Sequence, residues 1–326
     1  MAKLSIGLEV SPGGVRAATL RSGKHGPILE AMAEVPLQPG IVTPNGVAEP
    51  EGLTAAIKHL WSTYKIAKRR VILGVGGQRV VVRTANVPWV PAKELKTALP
   101  LYIGEIVPFD PADAVVDYVI SGEALGEEGA REYTGVLVAA ASDFVTGLVD
   151  AVQAARVTVT AVDLNAFAIL RALVPPIQEG FTVTEALVSV GSQSSQVIVH
   201  TNGRPELVRD LALGSDSVIE AYQMLDPTAP TSSIQALEPL VEDIASTIGF
   251  YQASDGARPI SRLTLTGDGS VLPGIEYMLA SAVQVPVVRD AAWLAMPRGG
   301  NLDDEIVMMN ASRMAAPVGL AMDAVT

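Results

Sequence analysis

Apolar and polar residues alternate through Leu4-Ser5-Ile6-Gly7-Leu8-Glu9-Val10, pause at Ser11-Pro12-Gly13-Gly14, and resume through Val15-Arg16-Ala17-Ala18-Thr19-Leu20. That pattern predicts a tight β-hairpin. Two consecutive glycines in its turn tolerate positive φ and let another backbone or a phosphate come close. The same plan returns later as Glu185-Ala186-Leu187-Val188-Ser189-Val190-Gly191, Ser192-Gln193-Ser194-Ser195 and Gln196-Val197-Ile198-Val199. Two such hairpins, each opening one half of the chain, suggest a duplicated domain with a cleft between the halves. The plainer alternative is two unrelated hairpins.

Between and after them the pattern is mixed. Residues 28–35 predict a third strand and 36–50 a loop punctuated by Pro and Gly. Within 51–64, Leu53, Ile57, Leu60, Trp61 and Tyr64 share one helical face, which makes Trp61 and Tyr64 core residues rather than a stacking platform. Residues 70–75 read as a buried strand closed by Gly76-Gly77, so this region is an α/β layer. The pattern then changes. A strand over 79–87, a helix over 94–107 interrupted by Pro100, strands over 114–121 and 133–141 around a Gly/Glu loop, and a helix over 143–155 read as one self-contained insertion. A strand (158–163) and a helix (165–173, stopping before Pro175-Pro176) lead to the second hairpin. Asn202-Gly203 turns the chain into a further strand, 204–211. Helices follow at 216–224 and 237–253, then a strand at 262–266, the turn Gly267-Asp268-Gly269-Ser270, a helix at 274–282, an edge strand at 286–288 and a closing helix from 311.

Composition narrows the function. The 326 residues are enough for two domains with separate cores. Hydrophobic residues make up 49% and charged ones 18%, apolar enough that partners are expected to cover part of the surface. A formal net charge of −12 argues against nucleic acid. The one basic run, Lys65 to Arg70, falls at a predicted helix end, where cations suit the helix dipole. There is no cysteine, and His25, His59 and His200 lack metal-ligand spacing. No apolar run reaches spanning length, so a cytoplasmic protein is expected.

Taken in this order, the residues resemble the actin-like ATPase superfamily and, within it, the PilM family of type IV pilus assembly proteins, relatives of FtsA. The resemblance rests on Val87-Pro88, Val107-Pro108-Phe109, Val115-Val116-Asp117-Tyr118, Leu137-Val138-Ala139-Ala140, Val162-Asp163-Leu164-Asn165-Ala166-Phe167-Ala168, Thr266-Gly267-Asp268-Gly269, Leu272-Pro273-Gly274 and Ala315-Ala316-Pro317-Val318-Gly319-Leu320-Ala321. It implies an RNase-H-like fold duplicated about a nucleotide cleft, with a strand-helix-strand-strand (SHS2) insertion. The bounds are 1–77 for the first part of domain I, 78–156 for the insertion, 157–184 with 313–326 for the rest of domain I, and 185–312 for domain II. It also implies a cytoplasmic adaptor, peripheral to the inner membrane through its partner, that binds the cytoplasmic tail of a PilN-type membrane protein in a groove involving the first subdomain and the insertion and so couples the inner-membrane pilus alignment complex to the pilus motor. The segment from Met314 has no Lys or Arg, unlike the basic membrane helix that ends FtsA, so direct membrane insertion is not expected. Filament formation, or other self-association, is neither supported nor excluded.

The resemblance implies ATP and Mg2+ as cofactors, with phosphates held by the hairpin amides and a carboxylate from each hairpin orienting the metal. The nucleotide-site positions are Glu9, Ser11, Gly13, Gly14, Arg16, Ser189, Gly191, Ser192, Gly267, Asp268 and Gly269. Four depart from the template. Glu9 replaces an aspartate and is the one Mg2+-facing carboxylate retained. Ser11 replaces a glycine and precedes Pro12, which has no N–H. Ser189 replaces the second aspartate. Asp268 adds a negative charge where an anion would approach. Arg16 keeps a cation for phosphate. The expectation is therefore a scaffold whose nucleotide use is weak or degenerate, with no catalytic residue assigned. The alternatives are an ATPase whose ATP state drives assembly of the pilus complex, or a small-molecule kinase with Asp163 as base. In the inserted helix, Leu95 and Leu99 read as core, and Leu101 and Tyr102 as candidates for partner contact.

Overall fold

The computed structural model describes residues 3–104, 107–126, 129–175, 180–226, 231–289, 291–299 and 302–323. Residues 105–106 of the predicted inserted helix, 127–128 of the predicted loop, Pro176 and 324–326 lie outside them. The first hairpin forms as β1 (Leu4–Ser11) and β2 (Gly14–Gly23), extended by β3 (Gly26–Pro36). A two-stranded ribbon, β4 (Val42–Thr43) and β5 (Gly46–Val47), precedes α1 (Pro50–Thr63), and β6 (Arg70–Val75) follows. The insertion comprises β7 (Val80–Pro88), α2 (Ala92–Tyr102), β8 (Ala114–Leu125) and β9 (Arg131–Ala141). After it come α3 (Ser142–Ala154), β10 (Thr158–Leu164) and α4 (Asn165–Leu173).

The second half repeats the design. Strands β11 (Thr184–Val190), β12 (Ser195–Thr201) and β13 (Arg204–Leu211) form an antiparallel meander. Helices α5 (Ser215–Met224) and α6 (Ser232–Gln252) lead to β14 (Leu263–Thr266), α7 (Ile275–Val283) and β15 (Val287–Val288). The chain closes with α8 (Asp304–Met309) and α9 (Ala315–Met322). The two large sheets run β3-β2-β1-β6-β10 and β13-β12-β11-β14-β15, each a meander of three with two parallel strands added beside the first. Shared strand order establishes the duplication that the paired hairpins suggested. The third sheet, β7-β9-β8, carries α2 on one face.

The boundaries differ from the sequence reading in four places. Helix α3 lies against α1, and Phe144, Leu148, Ala151 and Val152 join the main core, so the insertion ends at Ala141 rather than at residue 156. The chain also returns to the first half well before residue 313. Trp293 is buried in the main core, and the Leu29 backbone bonds to Pro297 and Gly299. Helix α2 stops at Tyr102, near Pro100, which cannot donate to the ladder. Helix α1 ends at Thr63, so the basic run follows the helix rather than capping it. Trp61 is core, but Tyr64 is 46% exposed and its hydroxyl donates to the Glu34 carbonyl at the cleft. Leu187, Ile198 and Val208 of the second half pack into the main core, tying the halves together.

Candidate functional site

The cleft is built on cross-strand register. In the first hairpin Glu9 stands opposite Arg16, and on the other side Arg16 stands opposite Glu34. The second pairing depends on a bulge. Counting from Gly23 opposite Gly26, an unbroken ladder puts Ala33 beside Arg16; the register shift after Thr19 substitutes Glu34. Arg16 Nε donates to Glu34 Oε1 at 2.8 Å, and Nη1 lies 3.8 Å from Glu9 Oε2. Its remaining nitrogen crosses to the second half: Nη2 donates to both Asp268 oxygens at 2.8 Å. Arg313 completes the cluster, with Nη1 3.3 Å from Glu34 Oε2 and Nε 3.6 Å from Asp268 Oδ1. Three carboxylates thus share two guanidiniums.

Burial makes these charges consequential. The Arg16 side chain is 6% exposed and Glu9 13%. Burial alone would lower the Arg16 pKa, but Glu9, Asp268 and Glu34 outweigh it and hold the guanidinium charged. For Glu9, burial dominates and raises the pKa to about 7; Arg16 opposes the shift while Asp268 and Glu34 add to it. Burial also pushes Glu34 upward, but Arg16 and Arg313 reverse this and leave its pKa lowered.

The turns meet one another. A Cβ on Gly13 would lie 3.1 Å from Ser192 Oγ and 3.3 Å from Asp268 Oδ2, so the tips of the first hairpin, second hairpin and third turn approach too closely to admit a larger residue there without crowding. Gly13 and Gly14 do not have positive φ, contrary to the expected use of these glycines; they serve close approach. Ser11 Oγ donates back to the Gly14 carbonyl at 3.3 Å. Gly191 N–H is taken by the Ser194 carbonyl of its own turn. Gly267, at φ +88°, and Gly269 both fit tightly against Val190. Gly267 N–H and Thr266 Oγ1 donate to the Ser312 carbonyl at 2.9 and 2.6 Å. The third turn is thereby fastened where the resemblance expected a nucleoside to lie.

These residues do not fit a Mg2+-nucleotide. The phosphate-facing guanidinium is already engaged by three carboxylates. A cavity of about 500 Å3 beside them is lined by Glu34, Asp216 and Asp268 against Arg16 and Arg313, a net negative wall. A second space of about 90 Å3, below the tips, is lined by Glu9, Asn165, Ser189, Gln196 and Asp210. Asp210, which sequence reasoning missed, brings a carboxylate to the space that Ser189 also lines. The bulge after Val199 again decides this, since an unbroken ladder from Thr201 opposite Arg204 would put Arg209 beside Gln196. Burial raises the Asp210 pKa to about 6, while bonds from Gln196 and the Gly77 amide restrain it. Mg2+ requires ionised oxygen ligands in near-octahedral array. Here Glu9 and Asp210 are the carboxylates lining that space, and the Arg16 guanidinium lies 3.8 Å from Glu9. Among the described residues no group of three or more His, Cys, Asp or Glu could hold a metal.

Asp163 is an unsuitable base. Its Oδ1 accepts from Leu164 N and its Oδ2 from Arg171 Nη2, and it lines neither cleft cavity.

A different opening lies behind the insertion. Alternation along β8 and β9 sends Tyr118, Leu137 and Ala139 toward α2 and leaves Val119 and Val136 on the opposite face. There a groove of about 600 Å3 runs between Val119, Ile120 and Val136 of the insertion, Phe167 and Leu170 of α4, and the β12–β13 turn. The irregular register after Ile120 lets two consecutive residues reach it. Val119 and Ile120 are 52% and 44% exposed. β8 is an edge strand, so its outer amides and carbonyls lack a strand partner. Leu95 and Leu99 are buried under α2 as expected, whereas Leu101 and Tyr102 are exposed on that helix, away from this groove.

Known proteins place this geometry. A solved structure of a "PilM-PilN type IV pilus biogenesis complex" matches with TM-score 0.84 and 23% identity, covering 99% of this chain and 98% of that one. The ethanolamine utilization protein EutJ from Carboxydothermus hydrogenoformans matches at 0.55 and 11%, covering 98% and 89%. A nucleotide-free diol dehydratase-reactivating factor matches at 0.53 and 9%, covering 99% and 100%. No curated protein matches the sequence. The family model for type IV pilus assembly protein PilM spans residues 7–325, and with the duplicated actin-like architecture the chain belongs to that family.

Proposed function

We propose that this chain is a cytoplasmic adaptor of a type IV pilus assembly machine, holding the cytoplasmic tail of a PilN-type membrane protein without using nucleotide chemistry. The groove behind the insertion carries this reading. It joins the first half and the insertion, has an apolar floor, and is bordered by an unpaired strand edge, features that suit an extended peptide. Likeness to a protein solved in a PilM-PilN complex supports a PilN-type partner. No helix among the described residues is long and apolar enough to cross a membrane, in keeping with attachment through a partner. The ATPase alternative is disfavoured by the paired Arg16 and the negative cavity wall.

Fluorescence anisotropy with a labelled PilN-type tail peptide tests this. The native chain should bind, Val119→Asp should weaken binding at least about tenfold, and Tyr102→Ala should leave it unchanged. Absence of binding, or loss confined to Tyr102→Ala or Leu101→Ala, overturns the proposed groove.

A further inference from the structure

We infer that Asp268 is an intramolecular latch: a tethered anion that occupies the guanidinium of Arg16 and holds the two halves closed without a bound ligand. Arg16 Nη2 bonds both Asp268 oxygens at 2.8 Å, across 252 residues of sequence. Arg16 is itself held in place by Glu34 at 2.8 Å. Asp268 is equally constrained, since its turn is fastened to the Ser312 carbonyl and begins at Gly267, whose φ of +88° disfavours any side chain.

Two physical consequences follow. A carboxylate fixed by the fold competes at an effective concentration of order millimolar or above, so a dissolved anion meets a site already filled. Displacing it also exposes that anion to Glu9, Glu34 and Asp268 with only Arg16 and Arg313 in compensation. The contact therefore works as a built-in clasp between the two halves. Close approach of Gly13 to Ser192 and Asp268 is the steric mark of the same closure. The latch concerns the cleft alone, and it stands or falls independently of whether the groove takes a tail peptide.

Amide hydrogen exchange on the full chain tests it, with and without ATP and Mg2+. In the native chain, protection at Gly77 and Gly267, whose N–H groups donate across the seam to Asp210 and the Ser312 carbonyl, should not change when nucleotide is added. In Asp268→Asn, exchange at those amides should accelerate at least about tenfold, the opening free energy falling by about 1.4 kcal/mol or more. Protection of β9 should stay as in the native chain, which separates cleft opening from unfolding. If β9 protection also falls in Asp268→Asn, Asp268→Gly, which leaves no polar side chain in the turn, is scored by the same amides. Native protection retained in the scored variant overturns the latch, as does a native chain in which those two amides gain protection from ATP and Mg2+.

Discussion

The cleft and the groove are both seams between parts of one chain, and they are finished in opposite ways. In the cleft the central charges are paired with one another: Arg16 has three carboxylates, and Glu34 and Asp268 each have two guanidiniums. In the groove, Val119 and Ile120 stand half exposed beside an unpaired strand edge. Polar groups satisfied inside the fold contribute shape, whereas apolar surface and backbone left open are available to a partner. The guanidinium of the cleft is thus engaged within the fold, whereas the groove toward the insertion leaves apolar side chains exposed.

Four substitutions break or sharpen that contrast. Arg16→Ala should have the largest effect, because it strands Glu9, Glu34 and Asp268 together in a buried site. A loss of about 3–5 kcal/mol of stability is expected, measured by urea unfolding. Glu9→Gln should act in the other direction, in a pH-dependent way. Its folded pKa of about 7 lies above the ordinary 4.5, so the folded state holds the proton longer than the unfolded state. Wild-type stability therefore falls as pH rises from 4.5 to about 7, through a term on the order of 3 kcal/mol that is fully lost above the folded pKa. Arg16, Asp268 and Glu34 are the charged groups that act on this carboxyl, and Gln leaves them in place. Unfolding curves at pH 4.5 and 8 should show the variant gaining stability relative to wild type only at the higher pH.

The groove should respond in binding rather than in folding. Val119→Asp is expected to cost about 1.4 kcal/mol or more of tail-peptide affinity, with thermal stability nearly unchanged because Val119 is 52% exposed. Smallest of all is Tyr102→Ala, at less than about 0.5 kcal/mol in both affinity and stability. Parallel anisotropy and melting measurements on the two variants separate the groove from the α2 surface.

Much of the framework was legible from local pattern. The alternation and turn chemistry of the two hairpins predicted β1–β2 and β11–β12, and β13 was bounded correctly at Arg204 and Leu211. Glu9 opposite Arg16 follows from a two-residue turn, which sets a ladder with no freedom. Asp268 was recognisable as an intruding charge, although its partner was not. Glu34 and Asp210 were missed because each depends on a bulge, after Thr19 and after Val199, that shifts the register by one residue. Arg313 has no local signature. Helix α3 was assigned to the wrong unit because its amphipathic pattern identifies an apolar face but not the surface that face will meet.

Local pattern alone set most of the strands and helices, though not β4, β5 or α8, and it showed that the plan occurs twice and which unusual residues stand at the turns. Period and turn chemistry are properties of a few neighbouring residues, and they survive any later packing. Only the tertiary structure decided that Asp268 meets Arg16, that Tyr64 turns outward, and that the insertion ends at Ala141. Those outcomes depend on groups far apart in the chain competing for the same buried charge or apolar face, and that competition is settled only when the whole chain has closed.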